Sequence, residues 1–125
     1  MPAPDLIESS VGNPPASVKR GRAFALADTV LNQGTAPAGA SKTRYYLSVD
    51  GNKNAGDKRL NGERAVPALA PAATSVGTAT SLTVPPDTAV GAYFVVACAD
   101  DKADVSESNE QNNCTASLST VQITK

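Results

Sequence analysis

Apolar and polar residues alternate in short stretches along this chain, and nowhere do apolar positions recur at i, i+3, i+4 and i+7 over three turns. The pattern predicts strands and no helix. A first strand falls near Leu6 to Val11. Residues 22–31 form a second, with Phe24, Leu26 and Val30 on one face. In the third, residues 44–49, Tyr45, Leu47 and Val49 lie opposite Tyr46 and Ser48. A short strand at 64–66 follows Asn61-Gly62, a pair suited to a tight turn. Residues 75–84 alternate small and polar side chains, with Leu82 and Val84 directed inward. The most apolar stretch is 92–99, where Tyr93, Val95, Ala97 and Ala99 oppose Phe94, Val96 and Cys98. The last, 115–123, offers Leu118 and either Val121 or Ile123 to the core.

Glycine, proline and asparagine clusters separate these stretches, as at Gly12 to Pro15, Pro67 to Pro71 and Pro85-Pro86. Seven short strands spaced by such turns predict an all-β protein, an antiparallel β-sandwich of about seven strands. With 125 residues the chain is one domain, 1–125, with an ordered core over about 4–124. That core is thin. Leu, Ile, Val and Phe number 24, just under the roughly 20% below which disorder sets in, but disorder also needs a high net charge and here it is −1.

The chain has no His and no Trp. Without His there is no Ser-His-Asp or Cys-His machinery and no His-containing zinc site. A carboxylate pair performing glycosidase chemistry needs a cleft, for which short segments leave little room. No strongly basic face points to nucleic acid, and no apolar run reaches the ~18–20 residues of a membrane span. Charge is unevenly spread, +3 over residues 1–64 and −4 over 65–125. Met1-Pro2-Ala3-Pro4 carries neither the charged nor the apolar region of a signal peptide. An exported protein would therefore contain this chain as a mature fragment or as one module.

Cys98 and Cys114 fit a disulfide formed in an oxidising compartment, or two buried thiols. A hairpin joining the last two strands would set them side by side, and no Cys-x-x-Cys spacing suggests redox catalysis. The loop 50–57 offers Asp50, Asn52, Asn54 and Asp57, the oxygen-rich alternation of a calcium site. Against the EF-hand pattern it has Ala55 where glycine belongs and Asn61 where a bidentate Glu belongs. A polar hairpin loop shaped by turn residues is the competing reading. A second acidic stretch, 100–113, reads as a cation site, as a loop fixed by side-chain-to-backbone bonds, or as a solvated hairpin tip. On the outer face, Arg44 and Tyr46 are the one candidate for glycan contact, with ordinary cross-strand packing as the alternative.

The order of segments resembles one family. Pro4-Asp5-Leu6, then Asp28-Thr29-Val30-Leu31-Asn32-Gln33-Gly34, Thr43-Arg44-Tyr45-Tyr46-Leu47-Ser48, Val66-Pro67-Ala68-Leu69, Gly91-Ala92-Tyr93, Cys98-Ala99-Asp100 and Val105-Ser106-Glu107-Ser108-Asn109-Glu110-Gln111-Asn112-Asn113 together resemble the cell-adhesion-related domain found in bacteria, CARDB. The resemblance implies an immunoglobulin-like sandwich in secreted or cell-surface proteins of bacteria and archaea, often in tandem or beside enzyme and adhesion domains. It implies no catalysis. Asn32 and Gly34 suit the turn after the second strand, through side-chain bonding and positive φ, while Glu107, Asn109 and Asn112 would tie down the late loop. In an immunoglobulin-like path the 50–57 and 100–113 loops leave opposite ends of the sandwich.

The expected function is a non-catalytic extracellular module that mediates adhesion, spaces domains or docks proteins. Its partners would be neighbouring domains or another surface protein, with the isolated domain a monomer and no nucleic acid or membrane insertion involved. The alternatives are a calcium-stabilised module and a surface-glycan binder. No cofactor is required, calcium being the single candidate.

Overall fold

The computed structural model describes residues 3–50, 57–99 and 114–125. Among the described residues eight strands succeed one another: β1 (Leu6–Val11), β2 (Ser17–Lys19), β3 (Ala23–Asn32), β4 (Ser41–Ser48), β5 (Lys58–Val66), β6 (Thr74–Thr83), β7 (Gly91–Cys98) and β8 (Cys114–Thr124). They form one curled sheet in the order β1-β3-β6-β5-β4-β7-β8-β2, folded over so that its two halves face each other as an immunoglobulin-like sandwich. Neighbours run antiparallel except β2, which lies parallel to β8 through Val18↔Ile123. The eighth strand beyond the expected seven is β2. It has three residues and a single buried apolar side chain, Val18, too short for alternation to register.

The fold-over happens inside β5. Arg44 pairs with Glu63 and Tyr46 with Arg59, so two steps along β4 span four along β5. The surplus residues bulge away, Leu60 enters the core fully buried, and Asn61 pairs with Thr83 of β6. Strands commonly change sheets at such corners. Gly62 sits there with φ +123°, and a Cβ on it would come 2.9 Å from the Ser81 carbonyl. Asn61-Gly62 is thus no tight turn before a short strand; it is the corner of a long one.

A second bulge corrects the reading of Leu118. Phe94 pairs with Thr120 and Val96 with Ala116, so β8 too carries surplus residues. Ser117 turns inward and Leu118 outward, 91% exposed. The Ser117 hydroxyl accepts the Val95 amide at 3.0 Å and donates to the Ser119 carbonyl at 2.8 Å, replacing the ladder acceptor that the bulge removes. Val49, also expected inside, lies just past the end of β4 and is 73% exposed.

Inward positions otherwise obey the alternation. Phe24, Leu26, Tyr45, Leu47, Leu82, Val84, Val95, Val121 and Ile123 belong to one apolar cluster. Leu6, Val30, Ala38, Val66, Leu69 and Ala99 form a separate one. No helix among the described residues is long and apolar enough to cross a membrane.

Ser117→Ala leaves the buried Val95 amide without an acceptor and is expected to cost about 1–3 kcal/mol. Leu118→Ala, one residue away and exposed, is expected to stay within about 0.5 kcal/mol. Urea unfolding of both variants checks the contrast.

Candidate functional site

What divides the two apolar clusters is a layer of buried polar side chains. Along β3 the inward positions read Leu26, Asp28, Val30, and along β1 Leu6 is followed by Glu8, so both carboxylates arrive in the core by strand parity. Asp28 and Glu8 are 2% and 3% exposed. From β5, Arg64 reaches Asp28 with Nε 2.9 Å from Oδ1 and Nη2 3.1 Å from Oδ2, a bidentate fork. The same guanidinium donates to the Ser75 carbonyl and hydroxyl on β6. Gly77 leaves the slot it occupies, since a Cβ there would lie 2.7 Å from Nη1. Tyr45, from β4 in the opposite half, donates its hydroxyl to Asp28 Oδ1 at 2.6 Å. Thr115 of β8 donates to the Glu8 carbonyl at 2.9 Å.

The two carboxyls settle into opposite protonation states. Burial, then the hydrogen bond and charge of Asp28, push Glu8 up to about 10. Its Oε1 has no donor aimed at it, so the neutral carboxyl bonding to Asp28 is the form that fits. Burial would also raise Asp28, but hydrogen bonds from Arg64, Glu8 and Tyr45 outweigh it and hold Asp28 below the ordinary carboxylate range. Tyr45 is raised by burial and by its bond to Asp28. In Arg64, the attraction of Asp28 overcomes burial and keeps the guanidinium charged. A general acid and a carboxylate base stand side by side here. Both are sealed, however, and their remaining valences face Arg64, Tyr45 and Thr43.

At the end where the chain enters, Asn32 organises the backbone. Its Oδ1 accepts the amides of Asp5 and Gly34, and its Nδ2 donates to the carbonyls of Ala36 and Leu69. Gly34 is required by close approach and not by positive φ: an added Cβ would fall on the Ala3 carbonyl and within 2.6 Å of the Asp5 amide. Cys98 and Cys114 pair directly across β7 and β8 and are disulfide-bonded. Glu107, Asn109 and Asn112 lie outside the described residues. On the outer face, half-buried Arg44 is engaged by Glu63, Nε to Oε1 at 3.3 Å, and half-buried Tyr46 stands between Arg59 and Val96 in register.

The other end carries what is described of the calcium candidate. Asp50 accepts the Ser48 hydroxyl at 2.7 Å, and Asp57 lines an open cavity of about 480 Å³. Asn52 and Asn54 lie outside the described residues. Among the described residues no three His, Cys, Asp or Glu side chains come together as metal ligands. Register places this end away from Cys98: Ser48 meets Phe94 near the start of β7, while Cys98 meets Arg44.

A model of the CARDB family matches residues 3–117. The chain belongs to the CARDB family. Solved CARDB structures share its fold. A crystal structure of a CARDB domain from Pyrococcus furiosus in complex with di-metal ions is 23% identical, with a TM-score of 0.60, covering 98% of this chain and 90% of that one. A domain of a candidate cell-surface protein from Methanosarcina acetivorans, solved by NMR, is 19% identical at a TM-score of 0.63, covering 98% and 94%. A β-glucosidase from Erythrobacter marinus contains a similar segment, 13% identical at a TM-score of 0.56, covering 97% of this chain but 16% of that enzyme. These are likenesses of fold. No curated protein matches the chain.

In this CARDB domain the buried Glu8 fixes the sign of the pH response. Its folded-state pKa lies above the ordinary 4.5, so the stability it contributes is complete below that value and is lost as pH rises toward about 10. The slope is at most about 1.4 kcal/mol per pH unit. Asp28, shifted the other way, loses its contribution only in acid. Thermal melting is therefore expected to show a midpoint falling steadily from pH 5 to pH 9, and Glu8→Gln, which keeps a neutral side chain at every pH, should flatten that decline.

Proposed function

We propose that this CARDB domain is a non-catalytic module of a larger secreted or cell-surface protein, where it spaces neighbouring domains and docks against them or against another surface protein. One observation carries the reading. The side chains best suited to chemistry, Glu8 and Asp28, are sealed in the interior and bonded across the two halves of the sandwich, so their interactions go into holding a shape. The disulfide favours an oxidising setting, and the Methanosarcina acetivorans relative belongs to a candidate cell-surface protein. Adhesion would then act through exposed strands and loops on a rigid body.

A second reading is that calcium stiffens the domain through Asp50, Asn52, Asn54 and Asp57. It draws on the metal-bound Pyrococcus furiosus domain and on the place of Asp57 in the lining of the cavity. Carboxylates and amides suit a hard cation.

Two measurements on the purified domain separate these readings. Against a panel of glycosides, esters and peptides, hydrolysis should equal the buffer blank; turnover that Glu8→Gln abolishes would overturn the non-catalytic reading. The melting midpoint should be the same in millimolar calcium and in EDTA. A calcium-dependent rise of several degrees, the size expected for about 2.7 kcal/mol at 100 times Kd, that Asp57→Asn removes would establish the second reading instead.

A further inference from the structure

Val49 is one of the four large apolar side chains exposed among the described residues. It lines the cavity of about 480 Å³, whose volume falls within the roughly 300–1,000 Å³ of small-molecule sites. Its apolar side is formed by Leu47, Val49 and Tyr93, its polar rim by Asp57, Lys58 and Asp87.

The walls are fixed in advance. Lys58 Nζ lies 2.9 Å from Asp87 Oδ1 and ties the start of β5 to the β6–β7 connection. In that connection Thr88 bonds the Pro85 carbonyl through both its amide and its hydroxyl. Arg20 donates to the Thr88 carbonyl from behind, at 3.2 Å. The hydroxyl of half-buried Tyr93 is held by the Ala89 carbonyl at 2.7 Å, and its ring packs against the core, so one aromatic face has a set position.

The charges narrow the ligand class. Of the lining side chains Lys58 is paired with Asp87, which leaves Asp57 as one surplus carboxylate, so an anionic ligand gains no attraction and the rim is rich in hydrogen-bond acceptors. An aliphatic ligand would strand the charged rim. A flat molecule with one apolar face and many hydroxyls meets both walls, each hydroxyl able to donate to a carboxylate and accept from an ammonium. We propose that this cleft binds a neutral saccharide, one sugar ring lying over Tyr93 with its hydroxyls directed at Asp57, Asp87 and Lys58. The glycan-binding surface is thus the end cleft and not the outer-face pair Arg44 and Tyr46. The proposal stands apart from the docking role.

The test is an amide-shift NMR titration of the domain in EDTA with cellotetraose, xylotetraose, maltotetraose and chitotetraose, and with cadaverine as a cationic control. At least one saccharide should produce saturable shifts at Lys58, Thr88 and Tyr93 by about 10 mM. Asp87→Ala and Val49→Asp, both at exposed positions, should weaken that binding by about fivefold or more while the rest of the spectrum is unchanged. The proposal is overturned if none of the saccharides shifts the cleft by that concentration, if the shifts centre on Arg44 and Tyr46, if both variants bind as the parent does, or if cadaverine binds the cleft more tightly.

Discussion

The bond on which this fold turns is the fork between Arg64 and Asp28. β5 pairs along β4 but meets β6 only at Asn61 and Thr83, because the corner at Gly62 sends the two strands apart. Past that corner no backbone ladder joins the halves of the curled sheet through β5. Arg64 spans the opening with its side chain, donating to Asp28 on β3 and to Ser75 on β6, and Tyr45 closes the layer from β4. A sheet that has folded over on itself is thus held by side-chain bonds at the place where it lacks backbone ones.

Such a layer carries a cost. Taking two charges out of water costs several kcal/mol each, and only good geometry and full hydrogen bonding offset that. The layer also divides an already thin core into two apolar clusters. What the arrangement supplies is register. A slip of β3 or β5 by one residue would turn Asp28 or Arg64 to solvent and leave its partner buried and unpaired. Glu8 obeys the same logic on an outermost strand, where an inward polar residue discourages pairing with foreign strands. It is tolerated because it stays neutral and bonds to Asp28.

Most of the fold is legible in the sequence because period-two alternation needs only local information. Phe24, Leu26 and Val30 mark one face, and by the same parity Asp28 shares it, as Glu8 shares that of Leu6. A charged residue in phase with apolar ones is the available signal, and in Asp28 it is masked by membership of a family motif. Arg64 as partner is not legible, since it meets Asp28 across the two halves of the sandwich. β2 is too short for alternation to show. Leu118 and Val49 depart from their expected inward places for related reasons: a bulge shifts the residues after Ala116, and a strand ends at Ser48, neither of which alters the local pattern. At the end cleft, Asp57 stands out for its loop, whereas Asp87 and Tyr93 join it only through the fold.

The proposed module role draws on a sandwich cross-linked in this way, its two halves joined by Arg64, Asp28 and Tyr45. The most direct test is a double-mutant cycle on Asp28→Asn and Arg64→Met, read by urea unfolding at pH 7. The account predicts that each single variant loses about 3–5 kcal/mol and that the double variant loses much less than their sum, a coupling of about 2 kcal/mol or more. Single losses under about 1 kcal/mol that simply add would contradict it, and the two halves of the sandwich would then be held by their apolar clusters alone.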